Sequence, residues 1–494
     1  MGCCSRCDTK VLRPERCTVL DGKLCAACTE DMELEKKIQE HEIAIEKIHT
    51  MRRALRTTMN ENHDRLIPKF PPEIISHIFL QYCPPSEFVD VYDSPLYLGA
   101  VCQKWRQLAW ATPNLWTSLR IAPFEKYESN LDDLPQLIKE WLERSSTLPL
   151  TIVIEDHCDW LDICLRRNDE VINTLNKHSA RWRDIHFEIP AKHLHLFSGS
   201  SQGNILRRLV LSHPFPWDKV SIFSMKSKPS PTDLTLRKFD LSYVNILWDN
   251  LTVASIYNLG VDECFELIRR APLLETLRLQ LINPSSNIFT VPNTRIVHPH
   301  LHSLELSGIR TETVVAELLD SLSLPSLEQW EWTRIISSFP LDNMISFVGC
   351  CSSRLKALTI SIDGLDHHQV ITFLSHLSSL EFLNLRAATP TDESKFLNLL
   401  CASTQSPLFL PHLQSLEFVC GLSFSWQSLL QIFAVPRWKT LRVKINTWIL
   451  HLNNDETTKL LLELVEEGID LSIINDDKTD LLQEYKEKTA AMAA

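Results

Sequence analysis

An α/β fold made by stacking strand–helix units is what the sequence predicts for most of this chain, and two observations predict it. The first is a recurring apolar unit, Leu-x-x-Leu-x-Leu, with aromatic or β-branched substitutes. The second is its step: from Leu251 to Leu383 successive copies lie 25 to 28 residues apart. One strand and one helix fit that interval. A single such pair cannot bury its apolar side alone, so neighbours must stack into a curved solenoid.

The copies start at Trp182, Leu206, Leu236, Trp248, Leu274, Leu301, Leu327, Leu355, Leu380, Leu413 and Trp438. Between them, Val261 to Ala271, Thr311 to Ser321, His367 to His376 and Glu393 to Ser403 carry helical patterns. The step from Phe239 to Leu251 is only twelve, too short for a helix, and predicts a strand-to-strand loop. Leu148 to Ile154 reads as the opening strand, behind a helix from Leu134 to Glu143. Ile469 to Ile473 reads as the closing strand. The polar, alanine-ending segment 476–494 is expected to fray.

Ahead of the repeats, Phe70 to Trp116 carries a large apolar load in under fifty residues. Pro72 suits a first helical turn, and Glu73 suits the positive end of the helix dipole. Ile74, Ile75, Ile78, Phe79 and Tyr82 share one face. Val101, Cys102, Trp105, Leu108 and Ala109 make a second, with Gln103, Lys104 and Arg106 turned away. So small a unit buries little surface and needs a neighbour.

These residues resemble an F-box, whose family opens Leu-Pro-x-Glu-Ile-Leu and returns with Val-Cys-x-x-Trp. Here the two read Phe70-Pro71-Pro72-Glu73-Ile74-Ile75 and Val101-Cys102-Gln103-Lys104-Trp105. The polar insert from Pro84 to Pro95 between them is similar to F-box proteins of the fungal type. The repeats resemble leucine-rich repeats, so residues 70 to about 475 resemble an F-box protein with C-terminal leucine-rich repeats. The resemblance implies a substrate-recognition subunit of an SCF-type ubiquitin ligase. Phe70, Pro71, Ile74, Ile75, Ile78, Val101 and Trp105 would bind a Skp-type adaptor, itself joined to a cullin complex, and the repeats would bind an unknown target protein. The alternative is an F-box repeat scaffold or sensor without a ubiquitin-ligase role.

Strand geometry points to where the target docks. The two leucines of each Leu-x-Leu turn inward, so the residue between them faces the concave side. That position holds Arg278, Glu305, Glu331, Thr359, Asn384, Glu417 and Arg442, flanked by Gln280, Ser303, Ser307, Gln329, Arg386 and Lys444. Glu305 and Glu331 give the row an acidic middle, which fits a target segment carrying Lys or Arg.

The N-terminal thirty residues hold Cys4-x2-Cys7 and Cys25-x2-Cys28, a spacing suited to a four-thiolate structural zinc site. Asp21 to Cys28 looks like the second half of a GATA-type finger. The tryptophan and arginines of such fingers are missing, and Thr29 to Glu33 is acidic, which counts against DNA. From Asp31 to Asn62, Leu34, Ile38, Ile45, Ile48, Leu55 and Met59 alternate by four and three once His41 and Arg52 are admitted to the seam. That is a heptad pattern, for a coiled coil that self-associates or a long helix packed on the F-box. The expected domains are thus 1–30 (Cys-rich knuckle), 31–66 (helix or coiled coil), 67–118 (F-box), 119–475 (repeats) and 476–494 (tail).

A formal charge of -12 argues against nucleic acid as the main partner. No apolar run approaches bilayer length, so no membrane partner is expected. Fifteen cysteines without a signal-peptide pattern fit a reducing compartment, cytoplasmic or nuclear. No Gly-x-Ser-x-Gly, His-Glu-x-x-His or phosphate loop occurs, so the chain is not expected to be an enzyme. His367 and His368, beside Asp363 and Asp366, read as the capped start of a helix, and Cys350 and Cys351 as small core filling.

Overall fold

A computed structural model describes residues 25–64, 66–83, 94–122, 134–156, 170–214, 221–333, 339–351, 354–387, 393–403, 406–420, 426–447, 455–475 and 477–493. The chain divides into two compact units, Met1–Trp116 and Thr117–Ala494.

The first unit is helical. Its helices are α1 (Ala26–His63), α2 (Pro72–Tyr82), α3 (Pro95–Val101) and α4 (Gln103–Trp110). A short 3-10 turn, Pro113–Trp116, ends it. Pro72 occupies the first turn of α2 with Glu73 beside it, where a missing N–H and a negative charge cost least. Ser94 caps α3 by accepting the Leu96 N–H at 3.3 Å. Ile75, Phe79, Leu98, Cys102, Ala109, Leu115 and Trp116 form the core. The Phe79 and Trp105 rings meet at 4.9 Å, and Trp116 donates its indole N–H to the Ala109 carbonyl at 2.9 Å. Gly99 is required by packing: a Cβ there would stand 2.1 Å from the Trp110 ring.

The second unit is mixed α/β. Among the described residues, fourteen strands form one sheet in chain order, and each neighbouring pair is parallel. Helices Val261–Arg270, Glu312–Ser321, Leu341–Gly349, His367–Leu374 and Glu393–Ser403 alternate with its strands. No described helix is long and apolar enough to cross a membrane.

The apolar repeat sets the register. Leu277 pairs with Leu304, Leu304 with Trp330, Trp330 with Leu358, Leu358 with Leu383 and Leu383 with Leu416. Each is at most 1% exposed. The leucine that opens each copy, as at Leu274, Leu301, Leu327, Leu355 and Leu380, is buried as well. Full burial of such a side chain contributes about 1.5–3 kcal/mol, so the ladder is the main apolar load of the unit.

The backbone repeats with the side chains. In the middle of the array one carbonyl before a strand accepts two N–H groups from the next: Glu275 O from His302 and Ser303, His302 O from Glu328 and Gln329, Glu328 O from Lys356 and Ala357. After several strands the chain turns through the left-handed region, at Lys238 (φ 61°), Asn258 (φ 69°), Leu281 (φ 52°) and Gly308 (φ 68°). Each of these N–H groups donates to the last carbonyl of the following strand, at 2.9–3.1 Å. This turn adds a backbone link between adjacent repeats, and at Asn258 a side-chain one, the Asn283 amide donating to the Asn258 side-chain oxygen at 3.1 Å.

Several sequence expectations differ from the structure. The sheet opens one strand earlier, at Ser118–Ile121, which pairs with Leu150–Glu155. The copies placed at Leu236 and Trp248 are out of register: the strands are Asp233–Arg237 and Val253–Tyr257, and Leu234 pairs with Ala254. The interval is twenty residues, not twelve, and holds a 3-10 turn with a two-residue strand, Val244–Asn245. The copy at Trp438 is also shifted, because Trp438 and Leu441 belong to a 3-10 turn and its C-cap while Val443 and Ile445 fill the strand.

The tail carries regular structure. Leu481–Ala493 is a helix with Leu481 and Leu482 buried, and Asp480 caps it by accepting the Leu482 N–H at 3.0 Å. Alanine, the strongest helix former, is what the polar reading of this segment undervalued.

Candidate interaction surfaces

On the helical unit, the residues of α2 split between two sides. Ile75 and Phe79 are 1% exposed, whereas Ile74 is 49% exposed, Tyr82 56% and the preceding Phe70 43%. Tyr97, on α3, is 45% exposed. Pro71 is exposed too, and Ile78, Val101 and Trp105 are half-buried. Of the seven expected adaptor contacts, then, Phe70, Pro71 and Ile74 lie open to a partner and Ile75 supports them from inside. Ser76 shares a hydrogen bond with Thr112 at 3.0 Å, and Thr112 donates to the Leu108 carbonyl at 2.8 Å, which fixes α2 against the end of α4. Tyr82 and Tyr97 add apolar surface, exposed beyond what a lone small unit requires.

On the sheet, the residue between the two apolar positions forms a continuous row across neighbouring strands. Arg278, Glu305, Glu331, Thr359, Asn384 and Glu417 occupy successive places. Arg442 does not join them. It pairs with Ser415, and Lys444 stands opposite Glu417. The alternation Leu441-x-Val443-x-Ile445 allows two registers with the same period, and the 3-10 turn takes Leu441 out of the strand.

The row neutralises its own charge. Arg278 contacts Glu305 at 3.5 Å, Arg386 contacts Glu331 at 3.0 Å and Lys444 contacts Glu417 at 3.3 Å. Gln280 donates to Glu305, and Asn384 to Glu417, each at 2.8 Å. In all three pairs the acid is the more buried member; Glu305 is 20% exposed and Arg278 46%. The carboxylates are thus held low in the sheet and the cations reach over them. Burial, with the Glu305 carboxylate nearby, pushes Glu331 above the usual carboxylate range against the pull of Arg386.

Two adjacent buried acids, Asp262 and Glu263, were not singled out in the sequence, and their surroundings give both a structural part. Asp262 accepts N–H groups from Ser286 (2.8 Å), Ile288 (3.0 Å) and Phe289 (3.0 Å), which shape the loop beside them. Burial opposes its charge, but these donors outweigh it and keep Asp262 below its ordinary range. Glu263 accepts the N–H groups of Leu241 and Gly260, while burial pushes it up to about 7. Asp366 caps its helix by accepting the His368 N–H at 3.0 Å, in agreement with the sequence. Cys351 is buried; Cys350 is half-exposed and meets the Arg295 guanidinium at 2.8 Å.

Cys25 immediately precedes α1 and Cys28 lies in its first turn, three residues apart and both half-exposed. Their Cys-x2-Cys spacing suits half of a tetrahedral thiolate site. Cys4 and Cys7 lie outside the described residues, and no group of three or more ligating side chains occurs among the described ones. Stoichiometric zinc is expected in the full chain purified under reducing conditions and is expected to fall on Cys25→Ser. Elemental analysis showing no zinc, or zinc unchanged in that variant, would remove the four-cysteine assignment.

Compared with family models and with curated proteins, the chain matches none.

Proposed function

We propose that the helical unit is an F-box, that the fourteen-stranded unit is a leucine-rich-repeat solenoid, and that the chain recruits a target protein to an SCF-type ubiquitin ligase. The observation that carries this reading is the division of α2: Ile75 and Phe79 build a core while Phe70 and Ile74, from the same motif, stay open. An apolar face held outward on so small a unit fits docking to a Skp-type adaptor. The row on the sheet fits protein recognition, being a rigid array of paired charges on strands. Ubiquitin transfer then needs no catalytic group here. Holding target lysines near a loaded carrier raises their effective concentration, and that is the contribution of a recognition subunit.

Co-purification tests the reading. The full chain is expected to capture a Skp-type adaptor together with a cullin, and Phe70→Arg with Ile74→Arg to reduce capture at least about tenfold, since exposed apolar anchors carry much of an interface's energy. Circular dichroism should be unchanged, because both side chains are exposed. Capture of adaptor without cullin would favour a scaffold outside the ligase. Wild-type capture by the double variant would remove the F-box assignment.

A second experiment concerns the row. Glu305→Lys with Glu331→Lys turns two cation-paired carboxylates into like-charge neighbours of Arg278 and Arg386. Target capture is expected to weaken, more at low salt than at high, while adaptor capture is kept. A labelled partner set unchanged at low ionic strength would move the reading surface away from the row.

A further inference from the structure

Helix α1 presents an apolar seam to solvent. Leu34, Ile38, Ile45, Ile48, Leu55 and Met59 are each between 52% and 64% exposed, and with His41 and Arg52 they keep the alternating four-and-three spacing of a heptad. Near its C-terminal end, Asn60 donates its side-chain amide to the Val101 carbonyl, anchoring α1 to the helical unit. The seam from Leu34 to Met59 is about 38 Å long at 1.5 Å per residue, and six of its eight positions are apolar. A helix so exposed along a heptad seam is completed by another helix of the same pattern.

We propose that α1 pairs with α1 of a second copy of this chain as an antiparallel two-stranded coiled coil. Charge identifies the occupant and its direction. Residues 30–46 hold seven acids and two lysines, whereas residues 47–63 hold four lysines or arginines and one acid. An antiparallel pair lays the acidic half of each helix on the basic half of the other. A parallel pair lays like on like.

The seam agrees residue by residue. Pairing about the midpoint between Glu46 and Lys47 sets Ile45 against Ile48 of the second copy, Ile38 against Leu55, and Leu34 against Met59. The two polar seam residues then share a layer, His41 of one helix facing Arg52 of the other. In a parallel pair each Arg52 would face its own copy, a like-charge contact inside the seam. Beside the seam, the residue after each of Leu34, His41, Ile48, Leu55 and Asn62 is Glu35, Glu42, His49, Arg56 or His63. These positions face one another in an antiparallel coil, which matches Glu42 with Arg56 and Glu35 with His63. The inference does not depend on the ligase reading: either can fail alone.

Sedimentation of the full chain in reducing buffer tests it. The wild type is expected to be a dimer at micromolar concentration, and Ile45→Asp with Ile48→Asp a folded monomer, since both side chains are exposed in the single copy. Direction is read by a charge swap. Glu42→Arg should weaken the dimer roughly tenfold, because two attractive flanking pairs become repulsive. Adding Arg56→Glu to the same chain should restore it. A parallel coil would set Glu42 against Lys37 and would not be rescued. A monomeric wild type, a dimer that survives the aspartates, or a Glu42→Arg defect that Arg56→Glu fails to repair would each overturn the proposal.

Discussion

Ile75→Ala combined with Trp105→Ala is expected to unfold the helical unit and abolish adaptor capture by the full chain. Ile75 is 1% exposed, and the Trp105 ring lies 4.9 Å from that of Phe79 at 41°. Truncations of this kind cost about 2–5 kcal/mol for isoleucine and about 3–5 kcal/mol for tryptophan. Trp105 is half-buried, so its share falls at the low end. Even so, the pair removes most of what a small unit has to lose, since whole domains are stable by only about 5–15 kcal/mol. A control separates ring from indole. The Trp105 Nε1 is buried without a hydrogen-bond partner, so Trp105→Phe removes an unsatisfied donor along with some surface and should be tolerated far better. Capture of adaptor at wild-type level by the double alanine variant would end the F-box reading. Loss of capture with the helical unit intact would instead place Ile75 or Trp105 directly on the adaptor.

Much of the fold could be read in the sequence because the repeat is written in fully buried residues. The copies at Leu274, Leu301, Leu327, Leu355, Leu380 and Leu413 fall on strands as expected, since two inward leucines two apart fix a register that a one-residue slip would destroy. The misplaced copies share one cause. Around Phe239, Trp248 and Trp438 the chain carries buried apolar residues in 3-10 turns and connectors, and these mimic the strand pattern. Periodicity cannot tell a buried turn from a buried strand, so Arg442 was given the place that Lys444 holds. Ser118–Ile121 carries the same unit, Trp116-x-x-Leu119-x-Ile121, but Trp116 also closes the apolar stretch from Phe70, and that assignment hides the copy. The candidate row was legible in position but not in depth. Nothing in the sequence says that Glu305, Glu331 and Glu417 sit below their cations; that follows from side-chain lengths, as Arg and Lys reach past the shorter carboxylates.

Trp330→Ala is expected to uncouple the middle of the repeat array, with a loss of about 3–5 kcal/mol. Trp330 is 1% exposed and sits among rings from three elements. Trp332 of its own strand lies 5.8 Å away, Phe347 of the helix Leu341–Gly349 at 5.1 Å and Phe373 of the helix His367–Leu374 at 5.9 Å, all edge-on. Phe339 extends the cluster through Phe373 at 5.8 Å. Each such pair adds about 0.5–1.5 kcal/mol beyond buried area, so one truncation strikes three contacts. The cavity cannot close easily, because its walls are rings anchored on two different helices. In a stacked array stability is carried by neighbour interfaces, and Trp330 bridges one of them. Hydrogen exchange should therefore accelerate in Gln329–Thr333 and Ala357–Ser361, which pair directly, before it accelerates at the sheet's far edge in Ser118–Ile121. Trp330→Phe keeps an aromatic ring at the site and removes an indole N–H that is buried without a partner, so it should cost clearly less than Trp330→Ala. If Trp330→Ala unfolds within about 1 kcal/mol of the wild type, against the 3–5 kcal/mol expected of a packed ring, the aromatic cluster does not hold these repeats together.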